Sequence, residues 1–110
     1  YTLSRHSKRM KLRITVAGNT NLKQVEKIIR EQLKHEKLIM TKPEASIDPV
    51  EFAGSGIVVE VLYWVYHLKD GSTTVGNLIE HLQQAFQNNG IELAVPLQQV
   101  VVEYPANQKL

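Results

Sequence analysis

The run that most constrains the fold is residues 57–66, IVVEVLYWVY, the most apolar stretch of the chain and the location of its one tryptophan, Trp64. It is too short to cross a membrane, since a spanning helix needs about 20 apolar residues. Its β-branched and aromatic side chains suit a pleated surface, so it reads as the central strand of a sheet. Turn signals bound it, Ala53-Gly54-Ser55-Gly56 before and Asp70-Gly71-Ser72 after, and Glu60 is its only ionisable residue. Apolar side chains on both faces require that both be at least partly covered.

The flanking segments supply the partners. Residues 9–16 alternate, with Met10, Leu12, Ile14 and Val16 on one face and Arg9, Lys11, Arg13 and Thr15 on the other, the pattern of a half-buried strand. Asn21, with Gln24 three residues on, opens a helix in a capping-box pattern. The helix extends to about residue 37, with Leu22, Val25, Ile28, Ile29 and Leu33 on one stripe and Glu26/Arg30 and Glu31/His35 as possible i,i+4 pairs. Residues 45–53 form a weaker strand, which Pro49 assigns to a sheet edge because proline cannot donate to a ladder. Gly54 and Gly56 fold it back onto the central strand as a hairpin. After Asp70-Gly71, Ser72 or Thr73 is suited to cap a second helix with the stripe Val75, Leu78, Ile79, Leu82, Ala85 and Phe86, closed by Gly90 in the left-handed position. Pro96 marks a turn before a short last strand over residues 98–103.

The order is βαββαβ, so the fold class is α+β and ferredoxin-like, a mixed, mainly antiparallel sheet with both helices on one face. The domain covers residues 9–104, with residues 1–8 a linker or the end of an upstream element and 105–110 a tail. With the first strand's apolar side inward, Lys11 and Arg13 lie on the open face. Glu60 favours an open face for Val58, Leu62, Trp64 and Tyr66 as well, where it can pair with Arg13 across the strands.

A chain of 110 residues, 43% of them hydrophobic, has enough for one core. A net charge of +2 is far from the clustered basicity of a dedicated nucleic-acid binder. Without cysteine there is no disulfide, thiolate metal site or thiol nucleophile, which fits a reducing compartment. The first residues are basic but lack the apolar segment of a signal peptide, and a start at Tyr1 suggests a piece of something longer.

Chemistry finds little to work with. His6, His35, His67 and His81 lack the i,i+3 or i,i+4 spacing of helix-borne metal ligands. Gly54-Ser55-Gly56 is neither a dinucleotide fingerprint nor a nucleophile elbow, because Ala53 and Ile57 stand where the elbow needs glycine. No carboxylate pair is set up for acid–base work. No catalytic residue, metal or cofactor is therefore expected. An aromatic sheet face beside Lys11 and Arg13 has the ingredients of base stacking, but the RNA-recognition pattern is absent from the central strand. The same ingredients make a protein interface, an aromatic anchor rimmed by charge.

Four segments resemble the small-conductance mechanosensitive channels (the MscS family) in their C-terminal cytoplasmic α/β domain. Residues 1–16, with Arg9 leading into the first strand, are similar to that family's passage out of its middle β-domain. Asn21, Val25, Ile28 and Ile29 match a helix of D-x-x-x-V-x-x-I-[IL] type. Glu51-Phe52-Ala53-Gly54-Ser55-Gly56-Ile57, followed by Val61-Leu62-Tyr63-Trp64-Val65, resembles E-[LF]-G-x-S-S-[IV]-N leading into an R-V-W strand. Phe86 to Leu93, FQNNGIEL, is similar to F-D-x-A-G-I-x-[IF]. Departures occur at Ala53, Gly54, Gly56 and Val58 and in the weakened P-[FY]-P-Q stretch at Ala94-Val95-Pro96-Leu97, so the hairpin and the last turn are expected to differ in detail.

The resemblance implies a non-enzymatic wall segment of a homo-heptameric cage on the cytoplasmic face of the cell membrane. It implies an upstream β-domain and membrane domain in the same chain, and a role in assembly and solute filtering when tension opens the pore in hypo-osmotic shock. Candidate interface residues are then Lys11, Arg13, Leu62, Trp64 and Tyr66, together with Val100 and Val102 in a strand similar to the family's C-terminal barrel. Gly54, Gly56, Gly90 and Pro96 are the structural turns. No nucleic-acid partner is expected, and the isolated fragment should be soluble and at most weakly associated. The alternative is a soluble ferredoxin-like binding module for RNA or a small effector. An acylphosphatase-like enzyme would need a phosphate loop that the chain lacks.

Overall fold

The computed structural model describes residues 3–94. Its elements run β1 (Lys8–Ala17), α1 (Leu22–His35), β2 (Ser46–Ala53), β3 (Gly56–Val65), a 3-10 turn (Leu68–Asp70) and α2 (Gly71–Asn88). The sheet order is β1-β3-β2 and every pairing between these strands is antiparallel, so the apolar run is the central strand. The last expected strand, with Pro96, Val100 and Val102, lies outside the described residues. Before it, Leu93 bridges Val16 antiparallel, the Ala17 N–H donates to the Glu92 carbonyl at 3.0 Å, and the Ala94 N–H donates to the Thr15 carbonyl at 2.9 Å. This lies beside β1, the side on which a ferredoxin-like order sets its fourth strand.

The two periodicities meet in one core. The odd residues of β3, Val59, Val61, Tyr63 and Val65, are buried with Val16 of β1 against Val25, Ile29 and Leu33 of α1 and Leu78, Leu82 and Phe86 of α2. Each such aliphatic side chain removed from water contributes roughly 1.5–3 kcal/mol. Both helices therefore lie on one side of the sheet.

Local chemistry sets the ends of the elements. The Asn21 side chain accepts from the Lys23 and Gln24 N–H groups at 3.0 and 3.3 Å, and this cap starts α1. The helix stops at His35, short of residue 37, because Glu36 is already extended. Glu26 and Arg30 form the expected pair at 3.1 Å, whereas Glu31 and His35 form none. Pro49 does sit on an edge strand, and the register slips beside it, between Pro49 and Glu51.

α2 departs from expectation at its start. The 3-10 turn delivers Asp70 as N-cap, without a side-chain hydrogen bond, so Ser72 and Thr73 lie inside the helix rather than capping it. Its buried stripe is Thr74, Leu78, Leu82 and Phe86, while Ile79 is 50% exposed. Thr74 is tolerated at the core because its hydroxyl donates to the Gly71 carbonyl at 2.8 Å and lies 3.2 Å from the Tyr63 hydroxyl. Burial raises the Tyr63 pKa above its ordinary value; the Thr74 hydrogen bond lowers it by less.

The helix ends as a Schellman turn. Gly90 has φ +71°, its N–H bonds to the Gln87 carbonyl, and the Ile91 N–H bonds to the Phe86 carbonyl at 2.9 Å.

Candidate assembly surface

Because β3 turns its odd side chains to the helices, its even ones, Val58, Glu60, Leu62 and Trp64, face the other way. Register then fixes their neighbours. Arg9 stands opposite Trp64, Lys11 opposite Leu62, Arg13 opposite Glu60 and Thr15 opposite Val58, with Ser46, Asp48 and Glu51 of β2 continuing these rows. One sheet face thus gathers Lys11, Arg13, Leu62 and Trp64, four of the sequence-predicted interface residues.

Four of the charges on this face, Lys11, Arg13, Glu51 and Glu60, are engaged with one another. Arg13 Nε lies 3.3 Å from Glu60 Oε2 and its Nη1 lies 3.3 Å from Glu51 Oε2, while Lys11 Nζ is 3.9 Å from Glu60. The basic side chains are about half exposed or more, so each pair contributes only about 0–1 kcal/mol. Their effect is positional. They turn a basic stripe into a mixed patch and hold Glu60 over the middle of β3, which leaves no continuous track for phosphates.

Leu62 and Trp64 are half-buried beside this patch. β2 stops short of Trp64, and residues 38–40 take its place: the Met40 N–H donates to the Trp64 carbonyl at 2.8 Å, Ile39 bridges Val65, and the Tyr66 N–H reaches the Leu38 carbonyl at 3.5 Å. Tyr66, just past the strand end, is 46% exposed.

The turn residues fall as follows. Gly54 has φ +61° and begins the two-residue loop between the paired Ala53 and Gly56. Gly56 is needed for space. A Cβ there would stand 2.6 Å from the Val16 carbonyl oxygen, 2.8 Å from Thr15 Cγ2 and 2.9 Å from Ala94 Cβ.

Sequence reasoning missed two features. Phe52, taken only as part of a turn motif, is 84% exposed at the outer strand. An apolar groove of about 470 Å³ runs between β1 and α2, over Leu12, Ile14, Ile79, Leu82, Phe86 and Leu93. Ile79 was the available signal, but apolar periodicity cannot tell a core position from the wall of a groove. Among the described residues no three His, Cys, Asp or Glu side chains converge to hold a metal ion. His81 instead meets Glu36 at 3.0 Å. Nor is any described helix long and apolar enough to cross a membrane.

Residues 10–93 match the family described as the C-terminal domain of the mechanosensitive ion channel MscS. The chain belongs to this family. The MscS family is one of channels, not enzymes, and its members are membrane proteins with a cytoplasmic domain. Among solved structures, Helicobacter pylori MscS in its closed state superposes with a TM-score of 0.76 at 20% identity, over 94% of this chain and 40% of that one. Arabidopsis thaliana MSL1 superposes with a TM-score of 0.66 at 11% identity, over 82% of this chain and 34% of that one. At such identities the likeness is one of fold. The chain spans less than half the length of either channel. A search of curated sequences gives no match.

Proposed function

We propose that this MscS-family chain is the cytoplasmic domain of a channel that membrane tension opens, a wall segment of the cage through which solutes pass during hypo-osmotic shock. The observation that carries this reading is the family match across residues 10–93. In this reading the domain contributes no catalysis, and the pore and the tension sensor belong to a membrane domain and β-domain that precede residue 9. The cage is a ring of identical copies, seven by the family resemblance. The open sheet face supports self-association, with Leu62, Trp64 and Tyr66 as the apolar anchor and Lys11, Arg13 and Glu60 as its rim. Val100 and Val102 remain interface candidates on the same resemblance. An RNA-binding role is disfavoured because Glu60 and Glu51 sit against Lys11 and Arg13, two of the cations that phosphates would need.

The test uses the full-length protein in cells stripped of their own tension-gated channels. Survival of an abrupt osmotic downshift and suction-activated currents in membrane patches are expected. A membrane-inserted, correctly folded protein that gives neither would refute the channel reading.

A further inference from the structure

The two outer strands among the described residues differ in shape and in charge. β1 carries Lys8, Arg9, Lys11 and Arg13 and no acid, whereas β2, at the opposite edge, carries Asp48 and Glu51 and no base. Arg13 and Glu51 meet within the chain, but Lys8, Arg9 and Asp48 form no ion pair among the described residues. Beside β1 lies the apolar groove, and on β2 stands Phe52, the most exposed large apolar side chain among the described residues.

Register sets the knob level with the Leu93 end of the groove. Phe52 pairs with Ile57, Ile57 with Val16, and Val16 with Leu93, which lines the groove. A projection on one edge and a recess on the other make a heterologous contact, which repeats into a ring or a filament. Equal height along the strands means no rise per copy, which favours ring closure.

We propose that Phe52 of one copy of this chain inserts into the β1–α2 groove of the next, against Leu12, Ile14, Ile79 and Leu93. This rests on the reading of the domain as a self-assembling one, and assigns it a surface distinct from the open face. Unlike charges on the two edge strands, basic β1 against acidic β2, steer the same head-to-tail approach. Pro49 and the register slip interrupt the outer edge of β2, so side chains make the contact rather than a continuous ladder.

The described domain has no cysteine, which makes cross-linking direct. Phe52→Cys and Leu93→Cys are combined in the full-length protein with any other cysteines replaced. Within one chain the two positions are three strand spacings apart, about 14 Å, beyond the roughly 7 Å that a disulfide spans, so any bond must join two copies. Mild oxidation should give a ladder of covalent oligomers in the double variant and none in either single variant. A dimer from Phe52→Cys alone would overturn the head-to-tail arrangement. Native mass of the wild type and the unoxidised double variant separates the failures. Oligomers without a ladder overturn this contact and leave self-assembly standing. A wild type that is monomeric overturns both. A double variant that falls to monomer while the wild type and the control Leu68→Ser stay assembled supports the contact, since only the knob and groove were altered.

Discussion

Replacing Gly56 with alanine adds a single methyl group to the crowded end of the sheet. Its φ lies outside the left-handed region, so alanine meets no backbone strain there and the effect is one of space. The new Cβ would stand 2.6 Å from the Val16 carbonyl oxygen, a main-chain atom that cannot rotate away, and 2.8 Å from Cγ2 of the stiff, β-branched Thr15. Relief requires β1 and β3 to part where Ala17 pairs with Gly56, and the Ala94 contact to open as well. Overpacking of this kind costs about 1–3 kcal/mol, offset by about 0.4–1 kcal/mol from the stiffer unfolded chain. A net loss of about 1.5 kcal/mol lowers the melting temperature by roughly 6–12 °C in a domain of this size. Gly76→Ala is the matched control. Nothing lies within 4 Å of its Cβ position in α2, so the same substitution should stabilise by about 0.5–1 kcal/mol through helix propensity. Far-ultraviolet circular dichroism melts of the two variants should therefore move in opposite directions. A Gly56→Ala domain that melts at or above the wild type would refute the steric account.

Tyr63→Phe should cost about 1 kcal/mol at neutral pH, through loss of its hydrogen bond with Thr74. Because burial raises the Tyr63 pKa, the native state holds its proton more tightly than the unfolded chain. That contribution is intact below about pH 10 and lost as pH rises through the folded value, so urea midpoints should fall less steeply in alkali for the variant than for the wild type. Asn21→Ala should lower stability by about 1 kcal/mol, while Asn21→Asp, which keeps an acceptor for the Lys23 and Gln24 N–H groups, should not, as chemical denaturation can check. Trp64→Ala, on the half-buried open face, should cost the domain roughly 1–2 kcal/mol, against about 3–5 for a core aromatic, while dispersing full-length oligomers. Analytical ultracentrifugation beside thermal melts would count against the interface role if the assembly persisted and the domain lost its fold.

The three described strands were legible because alternation and β-branching agree. Met10, Leu12, Ile14 and Val16 leave one register for β1, and Glu60 alone decided which side of β3 is open, since both of its faces are otherwise apolar. Pro49 announced an edge because the missing N–H is a property of the residue itself. α2 was less legible. Thr74 is polar in isolation and becomes a core residue because the Gly71 carbonyl and the Tyr63 hydroxyl satisfy its hydroxyl, so the apolar stripe runs through Ile79 instead. Its N-cap was misread because Ser72 and Thr73 are good caps in general, while the 3-10 turn that starts the helix earlier carries no sequence signature. At the candidate surface, the pairing of Arg13 with Glu60 followed from charge and register. The exposure of Phe52 and the groove beside β1 depend on where the sheet edges end, which pattern alone does not encode.

The strap at residues 38–40 gives the domain a stiff corner. Glu36 ends α1, ties to His81 of α2 through its carboxylate, and leads within a few residues into Leu38, Ile39 and Met40, which clasp the end of β3 at Trp64, Val65 and Tyr66. Both helices and the central strand are thereby bolted together at one pole, while the β2–β3 hairpin with Phe52 projects at the other. The end of β3 that carries Trp64 is thus the end at which α1, α2 and the strand are tied together, and Phe52 stands at the other.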